Sequence, residues 1–422
     1  MINYVYYMAK NKREYREVSM NEAKYAHRRS TVNVQFKDAS GKALADTDIK
    51  VKQTGHEFLF GCGAFDFLPA TDGKEMFVDR TEKWLDLFNY GTLPFYWGQF
   101  EKKEGEPRTE LLMKAAKLMR EHGAIPKGHP LCWHTECADW LMEYDNKTIL
   151  SKQLDRINRD VSDFKGVIDI WDVINEVVIM PVYDRYDNAI TRICKDMGRV
   201  KLVKEVFDAA KAANPDAVLL INDFNLSESY RILIDGCLNA GVPISAIGIQ
   251  THQHQGYMGR EKLEDILDRY SFFGLPIHFT ENTLVSGKIM PPEIVDLNDY
   301  QVDEWPSTPE GEERQKKEWR EMYEILFAHP LVEAVTGWDF ADGAWLKAPS
   351  GLIREDGTLK PSYHELKKLI HEEWTTELTV HTDADGKAEI NGYRGQYSAS
   401  GNNISGSFDV KKDKNTDVCI LK

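Results

Sequence analysis

Ile168-Asp-Ile-Trp-Asp-Val-Ile-Asn-Glu176 is an apolar run that stops on an amide and a carboxylate, and Pro276-Ile-His-Phe-Thr-Glu281 repeats the design further along the chain. Strands covered on both faces read as near-continuous apolar runs, so each string is expected to be a buried strand presenting its acid at the carboxyl end. Six more runs have the same texture: Phe58–Ala64, Tyr90–Tyr96, Ile125–Trp133, Ala217–Phe224, Ala246–His252 and Val332–Phe340. Amphipathic stretches separate them, among them Glu110–His122, Val200–Ala213, Ser227–Ala240, Arg260–Phe273 and Glu312–Ala328. Leu111, Leu112, Ala115, Ala116, Leu118 and Met119 fall on one side of a 3.6-residue repeat, as an outer-ring helix requires. Strands alternating with helices predict an α/β fold, and eight such units in this length predict a (β/α)8 TIM barrel. No GxGxxG or P-loop string follows any of the strands, which removes the usual support for a nucleotide enzyme.

The flanks read differently. Thr31–Phe36 and Asp48–Val51 alternate apolar with polar around a Lys37–Lys42 turn, the signature of a β-hairpin with one buried face. Glu377–His381, Ala388–Ile390, Ser405–Val410 and Val418–Leu421 repeat that alternation at the other end. A two-stranded hairpin is marginal alone in water, so both ends are expected to share one small accessory β-sandwich. The predicted organisation is an N-terminal helical or flexible segment over 1–29, a hairpin of the sandwich over 30–55, the barrel over 56–374 and the C-terminal sandwich strands over 375–422.

Composition narrows the partners. Of 422 residues, 53 are Lys or Arg and 68 are Asp or Glu, a formal net charge of −15 that disfavours nucleic acid and anionic membranes. Six cysteines show no CxxC spacing and read as buried thiols. No apolar stretch reaches the ~20 residues of a membrane span. The start of the chain lacks the basic, apolar and small-residue pattern of a signal peptide, so a soluble protein is expected, either cytoplasmic or secreted with its signal removed.

In a TIM barrel the chemistry sits at the carboxyl ends of the strands. Those ends carry His129, Trp133 and His134, then Asn175 and Glu176, Asn222 and Asp223, Gln250 and His252, Glu281 and Asn282, and Trp338 and Asp339. Acids and amides that bond hydroxyls, together with indole faces that stack on rings, are the equipment of sugar recognition. Two glutamates facing each other across the mouth are the equipment for splitting a glycosidic bond, one as acid/base and one as nucleophile. No cofactor or metal is needed for that chemistry. Two rival readings use the same residues. His252 and His254 form an HxH that, with His129, His134 and Asp223, is the raw material of a metal-dependent hydrolase. A barrel that binds a glycan without cutting it is the other.

The ordered strings Gly128–His134, Trp171–Glu176, Asn222–Asn225, Gly248–His252, Phe279–Glu281 and Trp338–Asp342 with Trp345 resemble glycoside hydrolase family 10, the endo-β-1,4-xylanase family, over roughly Phe58 to Leu369. The resemblance implies a retaining mechanism on a β-linked polysaccharide such as xylan, with Glu176 as acid/base and Glu281 as nucleophile. It implies that His129, Trp133, Asn175, Gln250, His252, Trp338 and Trp345 line the subsite where cleavage occurs, with Trp97, Glu101 and Tyr96 as further substrate contacts. Family members usually carry an Asn and a Lys at the end of the second strand, where this chain has Leu93 and Tyr96. Losing that ammonium removes charged hydrogen bonds worth about 1.5–3 kcal/mol each, for which a phenol is a partial exchange. The nucleophile string also continues Asn282-Thr283 where Leu-Asp is commoner in the family.

Overall fold

The structure, a computed structural model, describes residues 23–422, so most of the predicted N-terminal segment lies outside the described residues. The chain forms two compact units. One holds Leu59–Ile325 and Leu331–Leu366; the other holds 23–58, Leu326–Pro330 and Lys367–Lys422.

The first unit is a closed parallel barrel. Its strands are β3 (Leu59–Gly63), β4 (Tyr90–Pro94), β5 (Ile125–His129), β6 (Ile170–Asn175), β7 (Val218–Asp223), β8 (Ala246–Gln253), β9 (Ile277–Leu284) and β10 (Val332–Gly337), with β10 pairing back onto β3. All eight predicted strands are therefore present. So are the predicted helices, at Thr109–Glu121, Arg199–Ala213, Glu228–Asn239, Gly259–Ser271 and Pro309–Ala328. Thr109–Glu121 buries Leu112, Ala115, Ala116 and Met119, the stripe that the spacing predicts. The 18-residue helix Asn146–Asp163 has no counterpart among the predicted stretches, because its mixed polar pattern hides its buried side: Gln153, Arg156 and Asp160 are inside with Ile149, Ile157 and Val161. Asp145 caps it by accepting from the Thr148 amide at 2.8 Å.

The second unit is a β-sandwich. One sheet has the order β12-β1-β15 and the other β11-β2-β13-β14, where β1 is Arg29–Asp38, β2 Asp48–His56, β11 Glu377–His381, β12 Lys387–Tyr393, β13 Gly395–Gly401, β14 Ile404–Val410 and β15 Thr416–Leu421. The alternation of apolar side chains sends Val32, Val34 and Phe36 of β1 and Ile49 and Val51 of β2 into one core with Ile390, Tyr397, Phe408, Val410 and Leu421. The expected hairpin is corrected here. β1 pairs with β12 and β15, while β2 pairs with β11 and β13, so the two strands lie in opposite sheets. Alternation shows that a strand has one buried face, but a partner in the facing sheet covers that face as well as a hairpin would.

Candidate active site

Glu176 leaves its strand at the carboxyl end, whereas β9 continues past Glu281 to Leu284. Glu176 directly follows β6 and takes a left-handed conformation, φ 55°, while its amide donates to Asn222 O of β7 at 2.8 Å. A positive φ at a non-glycine residue costs about 1–3 kcal/mol and is retained only where its surroundings over-determine it. Glu281 lies within β9 and is 3% exposed.

The environments of the two acids diverge. Glu176 Oε2 accepts from the Trp133 indole at 2.8 Å, and Gln250 Nε2 reaches Oε1 at 3.5 Å. Burial, and then the negative charge of Glu281, push its pKa up to about 8. For Glu281, burial pulls upward as well, but the electrostatic pull of His129, a hydrogen bond from His252 and the Lys127 ammonium hold its pKa below the ordinary glutamate value. Its Oε1 accepts from Asn222 Nδ2 at 2.7 Å and its Oε2 lies 3.2 Å from His252 Nε2. At neutral pH one acid keeps its proton and the other is ionised.

Three amides join them. Asn222 Nδ2 donates to Asn175 Oδ1 at 2.8 Å as well as to Glu281, and Gln250 Nε2 donates to the same Asn175 oxygen at 3.0 Å. Thr280 holds the other end of Asn222 at 2.6 Å. The Asn175 carbonyl is thus occupied, which fixes its flip and leaves Nδ2 without a partner among the described residues. Gly248 makes the bridge possible, because a Cβ there would meet Asn222 Oδ1 at 2.4 Å. Behind Glu176, Asp223 accepts from the Val178 and Asn225 amides at 3.0 and 2.9 Å and pins the segment that follows the acid.

The predicted aromatic residues form the walls. The His252 ring packs on Trp345 at 4.8 Å and on Trp338 at 5.9 Å, and Trp338 also meets His129 at 5.3 Å. Tyr96 is half-buried against Trp133, His129 and Phe65. Its hydroxyl has no hydrogen-bond partner among the described residues, and burial, then Glu281 and Glu176, keep it protonated with a pKa well above 10. Leu93 is fully buried and offers the cleft nothing.

Trp97 and Glu101 stand apart from this group. Both are buried, and the Glu101 carboxylate accepts from Trp97 Nε1 at 3.2 Å, Arg159 at 2.9 Å and the Gly105 amide at 2.8 Å. Arg156 stacks on the Trp97 ring and donates to the carbonyls of Phe95, Pro130 and Leu131, so this cluster ties the ends of β4 and β5 together. Lys127 and Asp172 are given no part by the sequence, and Asn222 stands there only as a strand-end amide without an assigned role. A charge within an apolar strand, as in Ile170–Asn175, is the signal that marks Asp172.

The metal reading meets a poor donor set. His252 and His254 bond different partners, Glu281 and Thr283. The acid–histidine group closest to a ligand cluster among the described residues, His129, Asp172 and Glu281, already receives the Lys127 ammonium on Asp172 at 2.6 Å and the Asn222 amide on Glu281.

Residues 95–369 match the sequence family Glycosyl hydrolase family 10. The chain belongs to that family. It is 26% identical to the endo-1,4-beta-xylanase/feruloyl esterase of Xylanibacter ruminicola over 61% of its own length and 39% of the relative's. An anti-sigma-I factor of Acetivibrio thermocellus is 24% identical over 88% of this chain and 44% of that protein. The endo-1,4-beta-xylanase B of Thermotoga neapolitana is 26% identical over 65% of this chain and 78% of the relative. The chain thus spans less than half the length of the first two. Among solved structures, the family 10 protein of Paenibacillus barcinonensis superposes with a TM-score of 0.61 at 23% identity, covering 75% of this chain and 96% of that one. That likeness concerns the barrel fold. Among the described residues, no helix is long and apolar enough to cross a membrane.

Proposed function

We propose that this family 10 chain is a retaining endo-β-1,4-glycanase whose substrate is xylan. The observation that carries the reading is the divergence of the two acids, Glu176 held protonated and Glu281 held ionised at the mouth of one barrel. In the first step a Glu281 oxygen bonds to the anomeric carbon while Glu176 gives its proton to the glycosidic oxygen; the C–O bond breaks and an alcohol leaves. In the second step Glu176, now ionised, takes a proton from water. The resulting nucleophile attacks the same carbon and releases the Glu281 carboxylate. Asn175 Nδ2 is the donor for the sugar hydroxyl beside the reacting carbon, and the Trp338 and Trp345 indoles pack the ring. Tyr96 supplies a neutral hydroxyl to the sugar one step further from the cut.

Support for xylan comes from the names of two relatives, which are endo-1,4-beta-xylanases. Product analysis on xylan, arabinoxylan, mixed-linkage glucan and an aryl β-xylobioside tests the reading, with proton NMR following the first-formed anomer. Oligosaccharides released from xylan in the β-configuration are expected. An initial α-product rules out the double displacement, and activity on the glucan alone moves the substrate while keeping the mechanism. Leu93 and Tyr96, standing where the family usually carries an Asn and a Lys, favour a second reading, glycan binding without turnover. Sugar binding with no hydrolysis on any substrate of the panel selects it.

A further inference from the structure

Lys127 lies in the middle of β5, fully buried, and its ammonium bonds Asp172 and neither of the two glutamates. An ion pair buried for stability alone is a weak explanation, since well-packed apolar residues usually serve as well or better. Its position is more informative. Asp172 Oδ2 accepts from Lys127 Nζ at 2.6 Å and from His129 Nδ1 at 2.7 Å, and the same His129 nitrogen lies 3.8 Å from Glu281 Oε1. Lysine, aspartate, histidine and nucleophile thus form one continuous buried line from β5 and β6 to β9.

The second histidine at Glu281 has no such backing. His252 Nε2 contacts Oε2, but its Nδ1 is buried without a partner among the described residues, and Thr283, two residues after the nucleophile, bonds His254 instead. The other titratable groups around Glu281 do not supply positive charge. Glu176 and Asp339 are acids, and Tyr96 is a neutral phenol. Around Asp172, Tyr90 and Tyr230 are phenols that burial likewise keeps protonated. Lys127, bonded to Asp172 at 2.6 Å, brings an ammonium into this interior cluster.

We propose that Lys127 is a positioning residue that acts through Asp172 and His129 to fix the ionised nucleophile. The inference rests on the reading of Glu281 as nucleophile and adds a residue that supports its ionised form from behind Asp172 and His129. An interior ammonium stabilises an anion nearby, and the bond from His129 Nδ1 to Asp172 holds that ring 3.8 Å from Oε1.

The test is a carbon-13 titration of the glutamate carboxyls in the full chain, with Glu281 assigned by its loss in Glu281→Gln. Lys127→Gln is expected to raise the Glu281 midpoint by roughly one pH unit, leaving about tenfold fewer nucleophiles ionised on the acid side. Lys127→Arg should restore the wild-type midpoint. The acid limb of kcat/KM should move with it, while KM stays near its original value. A Glu281 midpoint that does not move in a folded Lys127→Gln protein overturns the proposal. So does a wild-type midpoint at or above the ordinary glutamate value, which is measurable even if the variant does not fold. The titration needs no substrate. A protein that hydrolyses nothing yet shows the expected shifts would sink the glycanase reading and spare the electrostatic one.

Discussion

The barrel mouth and the terminal sandwich bury very different things. The sandwich core is an uninterrupted set of apolar side chains from two sheets, in which Phe36 of β1 meets Phe408 of β14 edge-on at 6.1 Å. The barrel mouth buries Lys127, Asp172, His129 and Glu281 together, each with a polar partner. Apolar burial stabilises at about 25 cal/mol per Å², whereas each buried charge carries a desolvation cost that its partners only offset. The two regions therefore separate stability from chemistry. Surroundings that raise one carboxyl and lower another are expensive to hold, and they are found where the proposed reaction requires them.

That contrast is open to attack from both sides. The largest effect is expected at the acids. Glu176→Gln should lower kcat on xylan by about 10²–10⁴-fold, with a smaller loss on aryl glycosides whose leaving groups need no proton. Equal losses on both substrates would remove Glu176 from the acid role. In the sandwich, Phe36→Ala should cost about 3–5 kcal/mol in that unit, read by urea denaturation, and leave kcat of the folded protein unchanged. A changed kcat would show that the two regions do not divide the work.

The subtlest prediction concerns pH. Activity should hold between the depressed pKa of Glu281 and about 8, where Glu176 loses its proton. Because the negative charge of Glu281 is the second cause of the Glu176 shift, Glu281→Gln should move the Glu176 titration downward, toward the ordinary glutamate value. The two acids have opposite linkage. The raised Glu176 makes the folded state bind more protons than the unfolded one, so its contribution to stability falls as pH rises toward 8. The lowered Glu281 contributes stability above the ordinary glutamate pKa and loses it as pH falls through its folded value. Calorimetry of wild type and the two Gln variants between about pH 2 and 9 separates the two contributions; identical pH dependence in all three would contradict the divergence.

Much of this was legible in the chain itself. Apolar runs of strand length alternating with one-sided helical spacing dictate a parallel barrel, because only strands covered on both faces read that way. Glu176 and Glu281 at the ends of such runs, with Asn175, Gln250, His252 and the tryptophans at the others, mark the mouth before any coordinates exist. What the sequence leaves open is partnership. Alternation in β1 and β2 specifies a buried face but not which strand lies alongside, and tertiary structure placed the two in opposite sheets. The amide bridge through Asn222, the internal bonding of Trp97 and Glu101 and the line from Lys127 to Glu281 join residues from different strands and helices. Residue type and spacing decide which elements form; the distances that set a proton's position arise only when the barrel closes.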